Sequence, residues 1–362
     1  MDLLDLSSGG IGSFSFLSWL IVEIQTDAGF TGVGEAALAP RISKQLIDLY
    51  LAPLLIGADP FDTEYLWQSM YRKTIAFGRK GIVMVAISAV DIAIWDLLGK
   101  ALGQPLFRLL GGKTKPKIPV YASRLYSQPL KTLAQEAQAY KDQGFSAMKL
   151  RFGWGPAEGA AGMQRNVELV RTVREVIGLE IDLMTDAYMG WTLDYAQRMI
   201  PLLERYNLRW LEEPVIPDDI AGYAALRAMR RIPIAGGEHE FTLHGFRQLL
   251  DSEAIDYVQF DTNRVGGITA ARKIAALAEA HSVPVIPHAG QMHNYHLVMA
   301  SYNSPMAEFF PPVDVELGNE LFWYIFKGEP TPRNGYIELD ENLPGLGIEI
   351  DEDALKQFEI IE

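Results

Sequence analysis

Three short apolar runs between residues 181 and 240 each lead into an acidic residue: Ile181-Asp-Leu-Met-Thr-Asp186, Leu208-Arg-Trp-Leu-Glu-Glu-Pro214 and Ile232-Pro-Ile-Ala-Gly-Gly-Glu-His-Glu240. Asp186, Glu212 and Glu238 are spaced 26 residues apart, which suits a strand, a helix and two joining loops. One acidic residue at a strand end is usually a solvated loop residue. Three acidic residues at equal spacing direct their carboxylate oxygens, which are hard ligands, to one place, and this predicts a Mg²⁺ site.

The same rhythm continues in both directions along the chain. Asp261 follows Asp256-Tyr-Val-Gln-Phe260, His288 follows Val283-Pro-Val-Ile-Pro287, and Glu308 follows Ser304-Pro-Met-Ala307. Upstream, Ala147-Met-Lys-Leu-Arg151 places Lys149 and Arg151 on one face of a strand, because side chains alternate along it with period two. With Ile118 to Ala122 as the first strand, the series predicts eight strands with helices between them, at about 131–144, 163–177, 192–206, 219–230, 242–251 and 268–281. The predicted fold is α/β, a TIM-like (β/α)7β barrel with its chemistry on one rim.

The first 115 residues predict a separate α+β domain. Residues 16–35 alternate and contain turn residues, as in a β-hairpin. Helical periodicity follows in Ser43–Leu51, Pro60–Arg72 and Gly81–Leu98. The predicted division is 1–115 for this domain, 116–322 for the barrel and 323–362 for a C-terminal segment. Two short alternating runs, Tyr336–Leu339 and Gly347–Ile350, lie in that segment.

Composition narrows the classes of partner. A net charge of −14 argues against nucleic acid and anionic membranes, since both bind cationic surfaces. The absence of cysteine excludes disulfides, thiolate zinc sites and a cysteine nucleophile, and it fits a reducing compartment. Met1-Asp-Leu-Leu-Asp5 lacks the basic region of a signal peptide, and the apolar stretch Ile82–Val90 is far shorter than the roughly 20 residues that span a bilayer. We predict a cytoplasmic protein, and we expect a homo-oligomer.

At the residues quoted above, the chain resembles the mandelate racemase branch of the enolase superfamily, and within it the acid-sugar dehydratases of the L-rhamnonate dehydratase kind. The resemblance covers nearly the whole chain. Another matching segment, Ala86-Ile-Ser-Ala-Val-Asp-Ile-Ala-Ile-Trp-Asp96, resembles the signature of the family's capping domain. The matching segments around the site are Asp186 to Trp191, Trp210 to Pro214, Gly237 to His239, Asp261 to Gly267, Pro287-His288 and Asn303 to Glu308.

The resemblance implies a role for each residue. Asp186, Glu212 and Glu238 would bind Mg²⁺, and His288, held by Asp261, would be the base. Lys149 would neutralise the substrate carboxylate, and Glu308 would donate to one of its oxygens. Glu308 can donate only if it is protonated, which burial near other acids would favour. The resemblance also implies that residues 1–115 cap the barrel and that the C-terminal segment packs against this capping domain.

The implied reaction begins with removal of a proton beside a carboxylate, which is difficult because the product is a dianionic ene-diolate. A divalent metal stabilises that charge as it forms. Loss of the 3-hydroxyl as water would then convert an acid sugar into a 2-keto-3-deoxy acid. A small acid sugar is the expected partner, and the hydroxyls that are recognised would depend on capping loops such as residues 6–14.

Arg151 departs from the family pattern. Racemases of this branch have a second lysine at that position as an opposing base, whereas arginine keeps its proton at any working pH. Arg151 therefore favours abstraction from one side, by His288. The rhamnonate dehydratases do not have arginine there either, which leaves the identity of the acid sugar open. Two alternatives remain: a racemase, epimerase or lactone cycloisomerase that uses the same enolate, and a barrel that binds sugar acids without turnover.

Overall fold

A two-stranded hairpin begins the fold in a computed structural model that describes residues 19–312 and 322–356. Strands β1 (Leu20–Gln25) and β2 (Thr31–Ala36) pair antiparallel. The predicted hairpin is confirmed over these residues. The predicted start of the hairpin at residues 16–18 and the predicted loop at residues 6–14 lie outside the described residues.

Helices follow the hairpin and include the most deeply buried helix of the capping domain. The helix at Ile82–Ala101 packs on β2 at a glycine, since a Cβ at Gly34 would lie 2.0 Å from the Ala89 carbonyl oxygen. The three predicted helices are present with shifted bounds, and the last one ends three residues later than predicted. The helices are α1 (Pro40–Leu46), which continues as a π-helical turn (Ile47–Leu51) into α2 (Ala52–Leu55), then α3 (Thr63–Thr74), α4 (Ile82–Ala101) and α5 (Leu106–Leu109).

Helix α4 has the length and apolar composition of a membrane span, because it continues past Asp91 and Asp96. In the fold, 94% of its most apolar 18-residue window is buried. Asp96 accepts hydrogen bonds from the backbone N–H groups of Val33 and Leu346. We therefore assign α4 to the core of the fold.

The second part of the chain forms a parallel barrel with helices between the strands. Strands β3 to β8 are parallel neighbours in sequence order, and β9 pairs with β3. The strands are β3 (Ile118–Leu125), β4 (Ala147–Arg151), β5 (Asp182–Asp186), β6 (Leu208–Glu212), β7 (Ile234–Gly236), β8 (Tyr257–Val258) and β9 (Ala307–Phe309). The helices are α6 (Leu130–Asp142), α7 (Gly159–Ile177), α8 (Leu193–Leu203), α9 (Ile220–Ala228), α10 (Thr242–Asp251), α11 (Thr262–Val265), α12 (Gly267–Ala280) and α13 (Met292–Ala300).

The predicted strand at residues 283–287 differs from the structure. This segment lies beside β8 but makes only isolated parallel bridges, Val258 with Val285 and Asp261 with His288. Pro284 and Pro287 lack the N–H that a continuous ladder needs, which explains the interruption. The barrel therefore has seven regular strands among the described residues, with this bridged segment at the seventh position and β9 at the eighth.

The C-terminal segment contacts both parts of the molecule. It contains α14 (Phe322–Ile325), β10 (Phe326–Lys327), β11 (Tyr336–Ile337), β12 (Glu349–Ile350) and α15 (Glu352–Leu355). Strand β11 pairs antiparallel with β3 of the barrel, whereas the Gly345 carbonyl accepts from Leu106 of the capping domain. The C-terminal segment therefore contacts the capping domain around Gly345, as the resemblance implied, and its strand β11 extends the barrel sheet.

Candidate active site

Three buried carboxylates follow neighbouring barrel strands. Asp186 ends β5 and Glu212 ends β6, and the two residues are direct partners across the sheet. Glu238 lies two residues beyond β7, after Gly237, which has a φ of 127°. A Cβ at Gly237 would lie 2.7 Å from the Phe246 ring, so glycine is required at this turn. All three carboxylates are almost fully buried.

Lys149 lies among these acids. Its side chain is fully buried, and its Nζ contacts Glu212, lies 2.9 Å from Glu308 Oε1 and lies 3.7 Å from Asp186 Oδ2. Burial lowers the pKa of Lys149, but Glu212 and Glu308 raise it well above its usual value on balance. Lys149 is therefore an ammonium group in this arrangement.

Arg151 approaches the same acids from the next position on that face of β4. Its Nε lies 3.5 Å from Asp186 Oδ2, its Nη2 donates to Ser123 Oγ at 3.2 Å, and its guanidinium lies 4.8 Å from the Tyr126 ring centre. Lys149 and Arg151 thus share one strand face, as side-chain alternation predicts. Neither cation is free of a carboxylate neighbour.

The carboxylates hold more negative charge than these two cations offset. Burial is the largest cause that raises the pKa of Glu212, to about 7, even though Lys149 lowers it. Trp210 Nε1 and Gln259 Nε2 both donate to Glu212 Oε2, at 2.9 and 2.7 Å. Hard carboxylate oxygens that are buried at the ends of neighbouring strands fit a divalent cation such as Mg²⁺.

Glu238 also belongs to a second group of metal-ligand atoms. Glu213, Glu238 and His239 each offer an atom within 4.8 Å of the others. His239 Nδ1 lies 2.6 Å from Glu213 Oε2. The sequence analysis indicated no metal-binding role for Glu213 or His239. The adjacent pairs Glu212-Glu213 and Glu238-His239 were the available signal for this group.

His288 and Asp261 form a hydrogen-bonded pair at the edge of the carboxylate cluster. His288 Nδ1 lies 2.9 Å from Asp261 Oδ2, and His288 Nε2 lies 3.5 Å from Glu238 Oε2. Burial lowers the pKa of His288, but Glu238 and the Asp261 hydrogen bond raise it to about 9 on balance. The imidazole therefore turns Nδ1 toward its carboxylate partner and Nε2 toward the cluster.

Arg264 is a site residue that sequence reasoning missed. Its Nε lies 2.9 Å from Asp261 Oδ2, and its Nη1 lies 3.4 Å from Glu238 Oε1. Arg264 thereby links Asp261, the partner of His288, to Glu238, a predicted metal ligand. Its position three residues after Asp261, on α11, is the local signal that could have indicated it.

The donor role of Glu308 stays a prediction, because the neighbours of Glu308 in this arrangement favour its ionised form. Burial raises the pKa of Glu308, but Lys149, His288 and Arg151 lower it below its usual value on balance. Glu308 lies within β9 and faces Lys149 across 2.9 Å. An ionised Glu308 accepts hydrogen bonds, so the predicted donor role needs a change of charge state when substrate binds.

Two family models match the chain and together cover most of it. The mandelate racemase / muconate lactonizing enzyme N-terminal domain matches residues 8–111, and the enolase C-terminal domain-like model matches residues 132–354. The chain belongs to the mandelate racemase subgroup of the enolase superfamily. The resemblance inferred from the sequence motifs is confirmed.

Relatives within this subgroup carry names of different reactions. L-rhamnonate dehydratase from Saccharopolyspora erythraea is 38% identical over 340 residues, which are 92% of this chain and 83% of that protein. The 3,6-anhydro-D-galactonate cycloisomerase from Zobellia galactanivorans has a TM-score of 0.85 at 34% identity, with 93% of both chains covered. A racemase from Streptomyces coelicolor, solved with bound magnesium, has a TM-score of 0.85 at 31% identity, with 94% of this chain and 91% of that chain covered. These members of the subgroup share the fold, so the fold alone does not select the reaction.

Proposed function

We propose that the protein is a Mg²⁺-dependent lyase that dehydrates an acid sugar to a 2-keto-3-deoxy acid. The observation that carries this proposal is the His288–Asp261 pair, whose free ring nitrogen faces the buried carboxylates. The relative named L-rhamnonate dehydratase supports the same class of reaction. The proposal keeps Asp186, Glu212 and Glu238 as the metal ligands. A Mg²⁺ ion there would stabilise the doubly charged form that the substrate carboxylate group reaches when its neighbouring proton leaves.

In this proposal, each residue of the site has a separate role in proton transfer or substrate binding. His288 Nε2 accepts the proton from C2, while Asp261 holds the Nδ1–H and stabilises the imidazolium. Glu238 is the strongest of the charges that raise the pKa of His288. Engaging this carboxylate as a ligand would bring the imidazole closer to the neutral form that a base requires. Lys149 and Arg151 hold the anionic end of the substrate. The imidazolium of His288 returns its proton to the departing 3-hydroxyl, which leaves as water.

A cycloisomerase or racemase is the second candidate, because relatives with those names share this fold. A cycloisomerase that opens a ring by losing an oxygen at C3 needs the same single base, so only the leaving oxygen differs. A racemase needs a second base on the opposite face of C2. Arg151 cannot supply it, because arginine does not give up its proton.

The decisive experiment incubates acid sugars with the protein and Mg²⁺ in D₂O. Mono- and di-acid sugars are supplied as both C2 epimers, and NMR follows loss of water and exchange of the C2 proton. We expect one epimer to yield a 2-keto-3-deoxy acid while the other keeps its proton. Exchange of both epimers, or their interconversion, would favour a racemase. No exchange and no product across the panel would favour a binding barrel without turnover.

The proposal also includes the cellular location, the partners and the assembly of the protein. We propose a cytoplasmic protein, and the net charge of −14 supports small acid sugars rather than nucleic acid or anionic membranes as its partners. A homo-oligomer is the expected assembly. Light scattering of the purified protein measures its mass directly, and a monomer would contradict this expectation.

A further inference from the structure

Arg264 closes a ring of four side chains at the candidate site. Its Nε lies 2.9 Å from Asp261 Oδ2, and its Nη1 lies 3.4 Å from Glu238 Oε1. On the other side of the ring, His288 Nδ1 lies 2.9 Å from Asp261 Oδ2, and His288 Nε2 lies 3.5 Å from Glu238 Oε2. The same two carboxylates therefore contact the guanidinium on one side and the imidazole on the other.

The carboxylate of Asp261 is held at both of its oxygen atoms. Oδ2 contacts Arg264 and His288, whereas Oδ1 accepts from the Asn263 backbone N–H at 2.8 Å. Burial raises the pKa of Asp261, but Arg264 and His288 lower it below its usual value on balance, so the carboxylate stays ionised. Arg264 thus supplies Oδ2 with a partner besides the imidazole, whose own orientation depends on this carboxylate.

Arginine has the geometry that this link requires. Its Nε and Nη1 belong to one planar group, so two carboxylates that contact these nitrogens are held at a fixed separation. Arg264 Nη1 also donates to the Glu238 backbone carbonyl at 3.2 Å, which attaches the guanidinium to the loop after β7 as well as to the glutamate side chain. Lysine would offer one nitrogen on a flexible chain and could not make both contacts in the same way.

We propose that Arg264 is a positioning residue that holds the Asp261–His288 pair at a fixed place relative to Glu238. The inference rests on the proposed function, in which His288 removes the C2 proton and Glu238 is a metal ligand. A base is effective only when its accepting nitrogen is correctly placed, and a misplacement of about 1 Å can cost roughly hundredfold in rate. Arg264 fixes this placement because it joins the partner of the base to a proposed metal ligand.

The test compares the parent with Arg264→Gln, which removes the guanidinium, and with Arg264→Lys, which keeps only its charge. The matched control is Arg227→Gln. Arg227 contacts two acids in a similar way at the other end of β8, since its Nε lies 2.8 Å from Asp256 Oδ1 and its Nη1 lies 3.4 Å from Glu253 Oε2. For each protein, kcat and KM are measured on the acid sugar that the parent dehydrates fastest. Calorimetry gives the Kd for Mg²⁺, and melting curves confirm that each variant is folded.

We expect Arg264→Gln to lose roughly ten- to hundredfold in kcat, with a KM within about threefold of the parent. Mg²⁺ should bind this variant at least as tightly, because a cation beside a ligand carboxylate opposes the binding of another cation. Arg264→Lys should recover part of the loss, and Arg227→Gln should match the parent. An Arg264→Gln or Arg264→Lys enzyme with the parent kcat would overturn the proposal. A fall in kcat matched by an equal loss of Mg²⁺ affinity would overturn it too, because that result indicates a general structural role.

A spectroscopic measurement tests the positioning without turnover. NMR of protein with isotope-labelled histidines follows the Nδ1–H of His288, which is identified by its absence from His288→Asn. A proton held by Asp261 should give a signal in the parent, and this signal should weaken or disappear in Arg264→Gln but persist in Arg227→Gln. An unchanged signal in Arg264→Gln would overturn the positioning role. A parent that dehydrates no acid sugar, but whose signal is lost in Arg264→Gln, would contradict the proposed function and support the positioning by Arg264.

Discussion

At the scale of single residues, the site depends on which charges face one another. His288 is held between Asp261 and Glu238, and Glu308 is held against Lys149. Each contact fixes a charge state: the imidazole is drawn toward protonation and the glutamate toward ionisation. His288 must therefore be neutral before it can act as the proposed base.

Replacing the base should separate chemistry from metal binding. His288→Asn is expected to abolish dehydration and C2-proton exchange, because the amide cannot accept the proton, while Mg²⁺ still raises the melting temperature. Asp261→Asn should be impaired too, through loss of the carboxylate that orients the imidazole. NMR in D₂O and thermal melts measure the two properties, with exposed His244→Asn as the control. A His288→Asn enzyme with near-parent turnover would show that another residue is the base, and Lys149 is the next candidate.

The metal assignment is tested through stability. A ligand at 100 times its Kd adds about 2.7 kcal/mol to the free energy of unfolding, so Mg²⁺ should raise the melting temperature of the parent. Glu238→Gln should lose most of that gain, and the exposed Glu253→Gln should keep it. Asp186→Asn and His239→Asn discriminate between the two ligand groups. If only Asp186→Asn loses the stabilisation by Mg²⁺, the strand-end set binds the metal. If only His239→Asn loses it, the group with Glu213 binds the metal. A chelator that leaves melting and activity unchanged would refute both assignments.

At the scale of elements, α4 is attached to the barrel by polar side chains on an otherwise apolar helix. Ser88 Oγ accepts from the backbone N–H groups of Gly266 and Gly267, at 2.9 and 3.1 Å. Asp91 accepts from the Thr269 N–H and hydroxyl. These bonds fix the beginning of α12 against the capping domain, just after the helix that carries Arg264.

Removing the Ser88 hydroxyl should loosen this attachment. Ser88→Ala leaves two buried backbone N–H groups without an acceptor, each of which costs about 1–3 kcal/mol. We expect a fall of roughly 2–4 kcal/mol in the free energy of unfolding, measured by urea denaturation. Thr74→Val is the matched control, since its buried hydroxyl bonds only to carbonyls of its own helix. Equal losses in the two variants would show that Ser88 does not connect the domains.

At the scale of the whole molecule, His296 joins three parts of the chain. Its Nδ1 accepts from the Phe107 N–H of the capping domain at 3.1 Å, and its Nε2 lies 3.1 Å from the Leu346 carbonyl of the C-terminal segment. This pattern requires a neutral ring that accepts at Nδ1. Burial lowers the pKa of His296 to about 4, and burial also lowers that of nearby His293 to about 4.

These depressed pKa values predict loss of stability in acid. Unfolded histidine takes up its proton near pH 6.5, whereas the folded form resists until about pH 4, so the stabilisation is complete above pH 6.5 and falls with pH below it. By pH 5 the loss should be about 2 kcal/mol for each histidine. His296→Gln keeps one acceptor and one donor but cannot titrate, so its urea midpoint should fall less steeply with acid. His244→Gln should retain the parent slope, and a His296→Gln protein with that slope would contradict the explanation.

The linear sequence determined the features that depend on spacing along the chain. Regular intervals between apolar runs predicted the parallel barrel, and alternation along β4 placed Lys149 and Arg151 on one face. The same intervals predicted the strand-end positions of Asp186 and Glu212, because strand, helix and loop lengths are local properties. The hairpin and the helices of the capping domain follow from local pattern in the same way.

Tertiary structure alone decided charge states and partners. Lys149 meets Glu212 across 63 positions of sequence. Lys149 also faces Glu308, whose pKa is raised by burial but lowered on balance by Lys149 and His288. The Glu213–His239 pair likewise arises from segments that meet only in the fold. Burial and electrostatic interaction depend on distance in space, which the spacing of residues along the chain does not specify.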